Sequence, residues 1–146
     1  MQKPGCALCD AAGGAMVVQA PKFRVIRAAE PGFPAFYRLV WTGHVREFSD
    51  LAQGDRHLCM DAVARMEQLL RKHLQPAKVN LASLGNAVAH LLWHVIARFE
   101  WDSLFPAPVW AAAERSAPQD AIARVESLLP ALEAEMTLLL ARMGEA

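Results

Sequence analysis

No stretch of this chain approaches the roughly 18 uninterrupted apolar residues of a membrane-spanning helix, so none is expected. Net charge is also absent: 15 basic side chains balance 15 acidic ones. Without a global field, long nucleic acid polymers and anionic membranes are poor partners, and any phosphate must be held by local groups. Cysteine is scarce, and its count of three is odd. Cys6 and Cys9 lie too close together to staple a fold, which argues against a secreted disulfide scaffold and for a reduced compartment. Met1 to Asp10 carries a single Lys and no apolar run, so it does not read as a signal peptide, and a cytoplasmic location is expected. Internal repeats and low-complexity tracts are lacking.

What is present suits one core. The chain has 146 residues, 54% hydrophobic and 21% charged, and a second core would be hard to fit, so 1–146 reads as a single domain. Ala15 to Ala20 and Phe23 to Ala28 are short β-branched runs broken by Pro21, the pattern of a hairpin. Phe36 to Trp41 is a third strand, after the Pro31-Gly32-Phe33-Pro34 loop. From Asp55 to Leu74, apolar residues recur every three or four positions, which predicts an amphipathic helix stopped by Pro76. Lys78 to Leu84 and His90 to Phe99 return to strand, and Trp101 to Trp110 is irregular. Helical spacing resumes over Pro118 to Met143, where Pro130 should kink or divide the element. About five strands with one long helix and no regular βαβ alternation favour an antiparallel α+β domain.

Alternation along a strand puts His90, Leu92 and His94 on one face. Two histidines on a strand mean little alone, because each can bond a neighbouring backbone group. The wider segment Gly85-Asn86-Ala87-Val88-Ala89-His90-Leu91-Leu92-Trp93-His94 resembles the core motif of the histidine triad (HIT) family, in which a Gly-Gln/Asn turn leads into three alternating histidines. The likeness extends through Phe23 to Ile26, Phe36 to His44, Lys78 to Asn86 and Phe105 to Trp110, and covers about 6–115, with a helical extension over about 116–143. It is most similar to the bacterial branch described as diadenosine tetraphosphate hydrolase-like.

The resemblance implies an antiparallel sheet with a helix on one face, a homodimer whose sheets join, and a cleft for a purine nucleotide or dinucleoside polyphosphate. In the family the middle histidine attacks phosphorus and forms a nucleotidyl intermediate. Leu92 stands at that position and has no lone pair, so the triad His90, Leu92, His94 is degenerate and hydrolysis is expected to be impaired or absent. By the same resemblance, His94 and Asn86 would lie beside the phosphate, with a protonated His94 stabilising an anion. Asn80, Ser83 and Arg98 would be polar lining, each equally consistent with a cap or a solvated group. Related bacterial sequences carry histidine where Leu104 stands, which suggests a second leucine in the same cleft.

Cys6-Ala7-Leu8-Cys9 has the spacing of a metal knuckle, and structural zinc takes four N or S ligands. Some family members bind zinc with the equivalents of Cys6, Cys9, His44 and His90. Free thiols and a redox pair stay open, although a redox motif normally lies between a strand and a helix. Cys59 falls at a core position, and His57 and His73 read as solvated or capping groups. Three functions remain open: a nucleotide-binding protein with little hydrolysis, a working hydrolase or transferase that uses another residue, and a zinc-stabilised dimeric interaction module.

Overall fold

The computed structural model describes residues 2–146. A one-turn helix, α1 (Ala7–Asp10), precedes strands β1 (Ala15–Gln19), β2 (Phe23–Arg27) and β3 (Phe36–Trp41). A short 3-10 turn, Phe48–Asp50, leads into α2 (Gln53–Leu74), followed by β4 (Lys78–Ala82), β5 (Leu92–Arg98) and α3 (Gln119–Leu140). The strands form one sheet in the order β1-β2-β3-β5-β4, with every neighbouring pair antiparallel. This is the expected α+β architecture. No described helix is long and apolar enough to cross a membrane.

Strand alternation gives the sheet two different faces. Tyr37, Leu39 and Trp41 of β3 and Val95 and Ala97 of β5 point to the helical side, where they pack with Cys59, Met66 and Leu70 of α2 and Leu132 and Met136 of α3. Burial raises the Cys59 thiol to about 12, which makes it an inert core group. On the opposite side two smaller clusters form, one of Leu8, Ile26, Val40 and Leu92, the other of Phe33, Phe36, Ile96 and Leu104. Between them lie Arg38 and His94, directly paired across β3 and β5.

Three elements differ from the sequence expectation. β5 begins at Leu92 rather than His90, because the approach segment is irregular and Leu91 bonds its amide to the Val45 carbonyl outside any strand. Pro130 lies inside α3 without dividing it. That position is exposed, so water can meet the carbonyl left free one turn earlier. Leu104 sits under Phe33 and Phe36 in the second cluster, not beside Leu92, so the two leucines do not share a cleft wall. α2 ends as expected at Leu74, through left-handed Gln75 (φ 48°) and then Pro76.

Candidate functional site

The N-terminal turn lies against the start of β5. Cys6 Sγ and Cys9 Sγ each lie 3.5 Å from His90 Nδ1, and Cys9 Sγ lies 3.5 Å from His44 Nδ1. The four ligand atoms fall within 4.8 Å of one another, and the cluster can hold a metal ion. Metal–sulfur bonds of about 2.3 Å and metal–nitrogen bonds of about 2.0–2.1 Å at a tetrahedral angle would space S and N by about 3.6 Å. The observed spacing fits. His90 is oriented for ligation: its Nε2–H donates to the Trp41 carbonyl at 2.6 Å. A carbonyl only accepts, so the proton belongs on Nε2 and the Nδ1 lone pair faces the sulfurs. Desolvation lowers the His90 pKa and outweighs that hydrogen bond, which raises it. The turn is further clamped by Arg24, whose guanidinium donates to the carbonyls of Leu8, Ala11 and Ala12.

Beside this cluster a cavity of about 560 Å³ opens, lined by Ala7, Leu8, Leu84, Asn86, Val88, Leu92, Arg38, His94 and Trp110 among others. Its volume suits a drug-sized ligand. A larger cavity of about 780 Å³ follows β4 and shares Trp110, but no histidine or cysteine lines it. Leu92 is 8% exposed on the floor of the smaller cavity. His94 is 7% exposed, its ring set edge-on to Phe36 (5.6 Å between centroids) and Trp110 (5.4 Å). Its Nδ1 is buried without a partner, as is Arg38 Nε. The Arg38 guanidinium lies 5.4 Å from the centroid of Phe36.

The expected phosphate-side residues divide into two groups. His94 and Asn86 line the cleft, Asn86 from an exposed turn. Asn80, Ser83 and Arg98 are engaged by the scaffold. Arg98 Nη1 donates to Asn80 Oδ1 at 2.9 Å, and its Nε and Nη2 donate to Asp102. Ser83 Oγ donates to the Leu92 carbonyl at 2.9 Å. Sequence reasoning missed Arg38 and Trp110 as site groups. Arg38 did leave a signal: it is the one charged residue in the otherwise apolar or aromatic strand Phe36–Trp41.

Burial first, and the Arg38 charge second, push the His94 pKa down to about 4. His94 is therefore neutral at pH 7, and the cationic character of the cleft belongs to Arg38. NMR titration should show no His94 inflection between about pH 5 and 8; an inflection near the ordinary value of about 6.5 would refute this. The sign for stability follows. Below about pH 6.5 an unfolded chain takes a proton that folded His94 refuses, so stability falls as pH drops toward 4.

An antiparallel sheet, the two long helices on one face, and on the other a cleft floored by a strand entered through His90-Leu91-Leu92-Trp93-His94 together define a histidine triad fold. Residues 12–101 match the HIT domain, and the chain belongs to that family. Its structure is similar to a histidine triad protein from Bradyrhizobium japonicum, at 25% identity and TM-score 0.71 over 86% of this chain and 92% of that one. A histidine triad protein from Marinobacter aquaeolei superposes with TM-score 0.68 at 22% identity, covering 86% of this chain and 93% of its own. A zinc-bound histidine triad family protein from Mycobacterium smegmatis gives TM-score 0.59 at 20% identity, covering 90% and 95% respectively. No curated protein matches the chain.

Proposed function

We propose that this protein is a nucleotide-binding HIT protein, related to dinucleoside polyphosphate hydrolases, in which hydrolysis is impaired or absent. The observation that carries the reading is the aliphatic floor. Leu92 occupies the cleft floor, and neither of the two flanking histidines is placed to replace it as nucleophile. His90 turns Nδ1 to the cysteines and Nε2 to a carbonyl, so neither nitrogen is available for attack. His94 is one strand repeat away from residue 92, a displacement of roughly 6–7 Å, and displacement chemistry tolerates misplacements of only about 1 Å. The resemblance to the bacterial hydrolase-like branch supplies the nucleotide, and Trp110 and Asn86 supply a stacking face and an amide to meet a base.

The test pairs binding with turnover. Calorimetry should detect adenosine monophosphate in the cleft, while diadenosine tetraphosphate and adenosine phosphoramidate stay uncleaved above the buffer rate. Turnover by the unaltered chain, or a covalent nucleotide adduct on it, would overturn the reading.

The same proposal assigns zinc to Cys6, Cys9, His44 and His90, with the histidine–carbonyl contact and the S···N spacing as support. When bound there, zinc supplies a structural cross-link rather than chemistry, because four protein ligands close its coordination. Protein purified without added metal should contain about one zinc per chain, and strong chelation should lower Tm by about 8 °C. Metal-free protein whose melting is unchanged by chelation would leave the cysteines as plain thiols.

A further inference from the structure

We infer that Lys3 and Arg46 form a second phosphate-binding subsite beside the cleft, which gives the protein a preference for condensed phosphates over a single one. A cavity of about 420 Å³ opens there, against the Cys6 and His44 side of the metal-binding cluster. It shares Ala7, Ala87 and Val88 with the cleft that Arg38 lines. A nucleotide as the carrier of that phosphate rests on the function proposed above, whereas the subsite rests on its own residues.

Carboxylates or backbone carbonyls hold most of the 15 lysines and arginines, Lys22, Arg24 and Arg98 among them. Among the described residues, Lys3, Arg38, Arg46, Lys78 and Arg124 are the cations whose side chains have no hydrogen-bond or ion-pair partner. The first three line these two adjoining cavities. No carboxylate lines the cavity of Lys3 and Arg46. Its acidic neighbours in the chain are committed elsewhere: Asp10 accepts the Gly5 amide, and Glu47 and Asp50 cap the turn that follows β3. Two cations without a counter-charge raise the local potential, and an anion lowers it.

The donor set suits phosphate. A guanidinium meets two phosphate oxygens in a planar fork, and an ammonium adds a compact point charge. Where the cavities meet, Ala7 and Ala87 contribute only methyl groups, so no long side chain stands between the two phosphate positions. Zinc in the neighbouring cluster would leave this balance unchanged, because one divalent ion cancels two thiolates. Lys3 and Arg46 are both exposed, so each contact is modest and screened by salt.

The experiment is calorimetric titration of the full, metal-replete chain with AMP, ATP and inorganic tripolyphosphate at low ionic strength, with zinc content checked before and after. ATP should bind about tenfold tighter than AMP, as two exposed charge-assisted contacts allow, and the gain should shrink in high salt. The double variant Lys3→Met, Arg46→Met should bring ATP to within about twofold of AMP, while AMP affinity and Tm keep their parent values. Tripolyphosphate separates the two sources. If it binds alone and is lost in the double variant, free condensed phosphate is a ligand in its own right; if only ATP shows the gain, the phosphate must arrive on a nucleotide. Both outcomes support the subsite. No preference for ATP together with no tripolyphosphate binding overturns it, as does either effect surviving the double substitution. If tripolyphosphate binds through Lys3 and Arg46 while neither nucleotide binds, the subsite stands and the nucleotide reading falls.

Discussion

Leu92→His is expected to cleave adenosine phosphoramidate at least about 100-fold faster than the unaltered chain, the largest functional change any single substitution here should produce. The side chain at 92 already faces the cleft floor and shares its face of β5 with His94. An imidazole placed there brings a nitrogen lone pair to the cavity without moving the backbone. The substrate carries one phosphorus, so it asks for no more positive charge than Arg38 offers. The gain should stay well short of the roughly 10⁶-fold that an intact nucleophile can account for, because Leu8 still covers part of the floor. Leu92→Asn is the matched control, being polar and of similar size but not a nucleophile, and it should remain at background. Trapping a phosphorus adduct on residue 92 in a single turnover would complete the case. Should Leu92→His bind AMP normally and yet stay at background, residue 92 does not lie where phosphorus sits.

Much of this architecture is legible from spacing. The apolar positions of α2 and the turn at Gln75-Pro76 follow from local rules, and β3 shows its buried alternation directly. The cysteine pair announces itself by two-residue spacing, whereas its partners His44 and His90 are brought to it across the fold and came only through the family resemblance. Strict alternation misplaces His90. Extrapolated back from Leu92 it predicts a ring on the cleft face, yet residue 90 precedes the strand, and its ring is turned aside by the Trp41 carbonyl and the two sulfurs. Arg98 enters the polar lining only through the resemblance, where a cap is an equal alternative, and nothing local reveals that the chain turns back to place Asp102 against it. Arg38 and Trp110 are harder to find, because a half-buried cation and an exposed indole acquire meaning only once the cleft between them exists.

Asp102→Ala should be the most destabilising single substitution considered, costing about 3–5 kcal/mol and lowering Tm by about 10–15 °C. The Asp102 carboxylate is 1% exposed and accepts five hydrogen bonds: from Arg98 Nε (2.9 Å) and Nη2 (3.1 Å), and from the amides of Phe99 (3.1 Å), Leu104 (3.0 Å) and Phe105 (2.7 Å). Deleting it strands a guanidinium that is itself 2% exposed, together with three amides. Burial alone would raise this carboxyl's pKa, but the bonds from Arg98 and the three amides outweigh burial and hold it below the ordinary value of 3.8. The carboxylate's contribution is thus complete above that value and is lost as pH falls through the lower folded one, so Asp102→Ala should also flatten the acid limb of the stability curve. The loop that Asp102 organises runs on to Trp110 at the cleft rim, so AMP affinity should weaken along with Tm. Asp102→Asn separates charge from hydrogen bonding, since its amide oxygen can still accept from the backbone while the Arg98 charge goes unanswered, and it should fall between the parent and Asp102→Ala. A melting temperature for Asp102→Ala within about 2 °C of the parent would mean that water replaces the carboxylate at little cost, and that the turn after β5 is held by its apolar contacts alone.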